Sequence, residues 1–71
     1  MMAWDTETAA KRAEQAYRYV ARTVPPGADY SPLDGHTEAA YEAERAGDWP
    51  AYVEALRELC RAARLVARRA A

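Results

Sequence analysis

Isoleucine, phenylalanine and asparagine are absent from this 71-residue chain, and cysteine, histidine and lysine each occur once. A single cysteine, Cys60, excludes an internal disulfide. A structural zinc site takes about four soft ligands, which Cys60 and His36 cannot supply, so no metal and no cofactor are expected. No stretch approaches the roughly 18 consecutive apolar residues of a membrane span. Residues 1–10 have neither a basic start nor an apolar run, so no secretory leader is expected either. These absences point to a cytoplasmic chain with a reduced thiol. The lack of Asn, with Gln only at position 15, fits a thermophile, while abundant Ala and Arg fit a GC-rich genome equally well.

Large aliphatics are scarce. The residues counted as hydrophobic make up 51% of the chain, but eighteen of them are alanine, and Val and Leu contribute only four each. So few large apolar residues approach the composition of disordered chains, yet disorder also calls for a high net charge, and here it is −1. A folded, alanine-rich, thin-cored single domain over residues 1–71 is therefore expected. Below about 70 to 80 residues one core rarely supplies more than ~3 to 5 kcal/mol. With disulfides and zinc excluded, the usual supplements are self-association, a protein partner or close helix packing.

The apolar spacing predicts an all-α three-helix bundle. Helix 1, about 5–24, carries Ala9, Ala13, Ala16 and Val20 with Ala10, Tyr17 and Val24 alongside, in steps of three, four and seven. Asp5 is the expected N-cap, Trp4 is placed to pack on Ala9, and Glu7 with Lys11 and Glu14 with Arg18 stand four apart in the favourable order. Val24-Pro25-Pro26-Gly27 stops the helix and opens a Pro/Gly loop over 25–36, with a short turn at Ser31-Pro32 capped by Ser31. Helix 2, about 37–46, presents Ala39, Ala43 and Ala46. Gly47 takes the left-handed conformation that ends it, and Asp48 caps helix 3, about 49–69. There Trp49, Tyr52, Leu56, Leu59, Ala63, Val66 and Ala70 alternate steps of three and four, flanked by Val53, Cys60 and Ala67. Leu56 and Leu59 lie at the centre of this apolar face, and Trp49 and Tyr52 anchor its start.

The corner Ala43 to Leu56, AERAGDWPAYVEAL, resembles the helix-Gly-Asp-aromatic-helix turns of tetratricopeptide hairpins and of microtubule-interacting and transport domains. The resemblance covers about fourteen residues and implies two antiparallel helices at a tight corner. No second copy follows at the period of about 34 that tetratricopeptide arrays require, and the Tyr41-to-Gly47 spacing is longer than in that pattern, so only the geometry carries over.

Asp29, Ser31, Asp34 and His36 combine a nucleophile, a base and carboxylates in one short segment. A triad needs members converging from a rigid scaffold, and residues two or three apart in a loop are instead turn and cap formers. Cys60 sits on the apolar face with no base placed beside it. With no metal set, phosphate loop or positioned nucleophile, an enzyme is not expected. The arginines differ. At about 100° per residue, Arg57, Arg61, Arg64 and Arg68 fall within about 60° of one another, and Leu65 points nearly opposite the core. Residues 29–58 hold eight acids against Arg45 and Arg57, whereas 59–71 hold Arg61, Arg64, Arg68 and Arg69 with no acid. The expected function is a non-enzymatic interaction or adaptor module, self-associating or bound to a larger protein through Arg57, Arg61, Arg64, Leu65 and Arg68. The alternative is a nucleic-acid-associated accessory module using the same face.

Overall fold

The structure, a computed structural model, describes residues 5–70. They form three α-helices, α1 Thr6–Thr23, α2 Ser31–Ala46 and α3 Trp49–Ala70. The chain is an all-α three-helix bundle, 39 × 18 × 17 Å, organised on α3. Both α1 and α2 pack on α3, while no Cα of α1 lies within 8 Å of a Cα of α2. The expected packing of Trp4 on Ala9 involves a residue outside those described.

Each helix end has a local cause. Asp5 accepts from the Thr8 amide at 2.7 Å through its carboxylate, satisfying a donor that the first turn leaves free. At the other end the Val24 amide donates to Val20 O at 2.9 Å, and two prolines then deny the helix further donors. The corner after α2 is a Schellman motif. Gly47, at φ 69°, donates to Glu44 O at 3.0 Å, and Asp48 donates to Ala43 O at 2.9 Å. Asp48 then turns its carboxylate to the Ala51 amide at 3.2 Å and starts α3.

The expected loop over 25–36 is shorter than its composition suggests, because α2 begins at Ser31 instead of Thr37. Three features carry the helix through Gly35. Pro32 sits in the first turn, where its missing N–H costs nothing. Leu33 is buried and extends the inward row of Ala40 and Ala43 by two turns. The Thr37 hydroxyl bonds back to Leu33 O at 3.1 Å. One helical glycine, at about 0.5 to 1 kcal/mol, is too small an opposing effect. Ser31 is not the cap: its own amide donates to Asp29 Oδ1 at 2.9 Å. The inward face of α2 is also rotated from the expected one, since Ala40 is buried while Ala39 and Ala46 are exposed.

The buried side chains divide unevenly between helices. On α1 they are Ala9, Ala13 and Ala16; on α3 they are Tyr52, Val53, Leu56, Leu59, Ala63 and Val66. Trp49 is half-buried and meets Tyr52 edge to face, ring centroids 5.7 Å apart. Ala10 and Ala70, placed on apolar stripes by spacing, are exposed. No polar or charged residue is buried among those described.

Leu59 is only 2% exposed and Leu56 only 3%, so Leu59→Ala and Leu56→Ala should each lower stability by ~2 to 4 kcal/mol in thermal or urea unfolding. A change below ~0.5 kcal/mol for both would contradict this packing. Two glycines make a paired test. A Cβ at either Gly35 or Gly47 meets no atom within 4 Å, so backbone conformation alone sets the sign. Gly47→Ala should destabilise by roughly 1 kcal/mol at its positive φ, whereas Gly35→Ala should stabilise by roughly 0.5 to 1 kcal/mol within α2.

Candidate functional site

α1 runs parallel to α3. The register is set where Cys60 Sγ lies 4.0 Å from Ala16 O and where the Arg64 guanidinium carbon stands 5.9 Å from the Tyr19 ring centroid. An alanine at position 16 leaves its backbone open to this approach. Along one side of the seam runs an open groove of about 380 Å³. Ala16, Val53, Leu56 and Cys60 form its apolar part, Arg12, Gln15 and Tyr19 line it from α1, and Arg57, Arg61 and Arg64 line it from α3.

Two of these arginines hold acids of their own helix. Arg57 Nη1 is 3.6 Å from Glu54, and Arg61 Nη1 is 2.9 Å from Glu58. Such exposed pairs are worth about 0.2 to 0.5 kcal/mol, so an incoming carboxylate can displace them. Arg64 is held over Tyr19 instead, an arrangement worth about 0.5 to 1 kcal/mol at an exposed site.

Of the arginines expected to form one stripe, the structure brings Arg57, Arg61 and Arg64 into the groove. Leu65, 49% exposed, and Arg68 lie on α3 outside it. Asp5, Gly47, Asp48, Trp49, Tyr52, Leu56 and Leu59 hold caps, corner and core, and of these only Leu56 reaches the groove. Reading each helix separately misses Arg12, Gln15 and Tyr19. Their steps of three and four beside the Ala9, Ala13, Ala16 face are the signal that could have marked them.

Asp29 is bonded to the Ser31 amide, and Ser31, Asp34 and His36 lie in the first two turns of α2. Among the described residues no three His, Cys, Asp or Glu side chains gather to hold a metal, and no helix is long and apolar enough to cross a membrane. Comparison of the chain with protein-family models, curated proteins and solved structures gave no match.

Burial raises the Cys60 thiol above its ordinary range, against a smaller opposite pull from Arg64. Burial likewise raises Tyr17, next to Tyr41 and Glu44, and Tyr52, which also feels the Glu44 charge. All three are acids with raised folded-state values, so the unfolded chain ionises first as pH rises. Their contribution is intact below the ordinary thiol value of 9.0 and is lost as pH climbs through it and then through the phenol value of 10.0. Urea unfolding should show lower stability at about pH 10.5 than at about pH 7.5, with a smaller drop in Cys60→Ser; equal drops in both proteins would remove the thiol from this account.

Proposed function

We propose that this chain is a non-enzymatic helical interaction module that receives an acid-bearing protein segment on the arginine groove between α1 and α3. One observation carries the reading: Arg12 of α1 and Arg57, Arg61 and Arg64 of α3 line a single groove together with the apolar side chains of Ala16, Val53, Leu56 and Cys60. Guanidinium forks match carboxylates two bonds at a time, and apolar walls accept the stem or ring of a neighbouring side chain. A helix laid in a groove uses this combination of anchors and rim charges. The partner is a larger protein or further copies of the chain. A free Cys60 favours the cytoplasm as the working compartment.

A nucleic-acid-associated role on the same face is the second reading, favoured by four arginines and no acid over residues 59–71. It is the weaker one because Glu54 and Glu58 sit against Arg57 and Arg61 and the net charge is −1, which lowers the potential a polyanion would feel.

Fluorescence anisotropy with a Glu-rich helical peptide and with single-stranded and duplex DNA, at about 50 mM and about 200 mM salt, separates the two readings. The peptide should bind more tightly than either DNA and lose roughly tenfold in affinity with Arg64→Glu. Tighter DNA binding that falls steeply with salt would put the second reading first, and no binding of either probe would overturn both.

A further inference from the structure

The acids of this protein are not treated alike. On α1 and α3 every acid faces a base of its own helix within 4.0 Å: Glu7 with Lys11, Glu14 with Arg18, Glu54 with Arg57 and Glu58 with Arg61. On α2, Asp34, Glu38 and Glu42 have no such partner among the described residues, although all three are exposed. Spaced by four, they form a ridge on the side of α2 away from Ala40, about 12 Å long at 1.5 Å per residue. Arg45 stands at one end, so the ridge keeps a net negative charge. On α3, Arg64 and Arg68 have no acid within 4.0 Å among those described, and Arg57 to Arg68 spans about 16 Å.

Each charged face also carries an apolar anchor. Among the described residues the two most exposed large hydrophobic side chains are Tyr41, at 55%, and Leu65, at 49%. Tyr41 lies beside Glu38 and Glu42 on α2, and Leu65 beside Arg61 and Arg68 on α3. Surface charge pairs alone contribute little, so an apolar pair flanked by complementary charges, Glu38 and Glu42 on one side and Arg61 and Arg68 on the other, is what makes the two faces a match.

We infer that the acidic ridge of α2 docks on the arginine face of α3 in a second copy of this chain, with Tyr41 packed against Leu65. This rests on the interaction-module reading and names its partner. The contact is head to tail. The arginine face borders the groove that α1 flanks, whereas α2 packs on the other flank of α3, where Pro32 of α2 and Ala28 of the preceding loop line a second, separate pocket with Val66 and Arg69. Ridge and face therefore point away from each other, a twofold pair cannot engage both at once, and copies add in series.

Sedimentation equilibrium from about 10 µM to about 1 mM should show a weight-average mass that rises without levelling at two chains and falls back with salt. Arg64→Glu/Arg68→Glu and Glu38→Ala/Glu42→Ala, all at exposed positions, should each be monomeric with unchanged helical circular dichroism. Mixed together they should form a one-to-one complex and stop, because each retains the face the other lacks. A wild type that stays monomeric, a mass that levels at two chains, or double variants that fail to pair would each overturn the inference. Titration of the Glu-rich peptide separates this from failure of the groove: a monomeric wild type that still binds peptide loses only self-association, whereas one that binds neither loses the interaction reading as well. The Glu38→Ala/Glu42→Ala protein should keep full peptide affinity.

Discussion

Large side chains on α3 packed against alanine on its neighbours are the contact on which the rest of the structure depends. α3 contributes Tyr52, Val53, Leu56, Leu59 and Val66 to the buried set, α1 contributes only alanines, and α2 adds Leu33 to Ala40 and Ala43. Alanine loses no side-chain entropy on burial and lets backbones approach, but each one removes little area from water. The arrangement therefore works only if one helix supplies the bulk and the others come close to it. The thiol of Cys60 reaching a backbone carbonyl of α1 is the measure of that closeness. Two alanine faces turned toward each other would bury almost nothing, which is why α1 and α2 share α3 and keep apart from one another. Burial raises the phenols of Tyr17 on α1 and Tyr52 on α3, and the Glu44 charge of α2 reaches both.

This division of labour was legible on α3 and much less so elsewhere. Seven residues in strict three-four alternation leave one solution for the inward face, and Gly47-Asp48 states both the end of one helix and the start of the next. On α2 the apolar positions are nearly all alanine. Ala39, Ala40, Ala43 and Ala46 have the same hydrophobicity, so spacing alone cannot choose between the row containing Ala39 and the row containing Ala40. Leu33 makes the choice. It was hidden because Gly35 and two nearby Asp residues gave the segment the composition of a loop, although Ser31-Pro32 marked the true start. The groove was legible by halves. The arginines of α3 follow from one helix, but Arg12, Gln15 and Tyr19 join them only through the parallel register of α1, which is a property of packing between distant segments.

The charges follow the same logic. With its apolar stripe committed inward, α3 has only its flanks and back for polar residues, and the acid-free stretch 59–71 leaves those flanks basic. Cations in the last turns of α3 also answer the partial negative charge of its carbonyl end, so Arg68 and Arg69 have a structural use regardless of any partner. Arg57, Arg61 and Arg64 lie further from that end, where the dipole effect has faded. Their position is better explained by Glu54, Glu58 and Tyr19, each of which keeps a guanidinium at the edge of the groove.

That edge is also the seam between two helices, which ties occupancy to stability. α1 is held by α3 alone and buries only alanines within the helix, so it has the smallest apolar contribution of the three. On the proposed interaction reading, a segment lying in the groove would face Arg12, Gln15 and Tyr19 on one side and Arg57 and Arg64 on the other, and so would bridge the two helices. Such a ligand binds only when α1 is docked, and mass action then stabilises the docked state by RT ln(1 + [L]/Kd), about 2.7 kcal/mol at a hundredfold excess over Kd. This is comparable to the ~3 to 5 kcal/mol that a single core of this size supplies. Placing its few large residues on one helix thus gives the chain a fold in which the alanine-packed joint between α1 and α3 coincides with the arginine groove, so that on the proposed interaction reading a bound segment would add to the packing that alanine leaves thin.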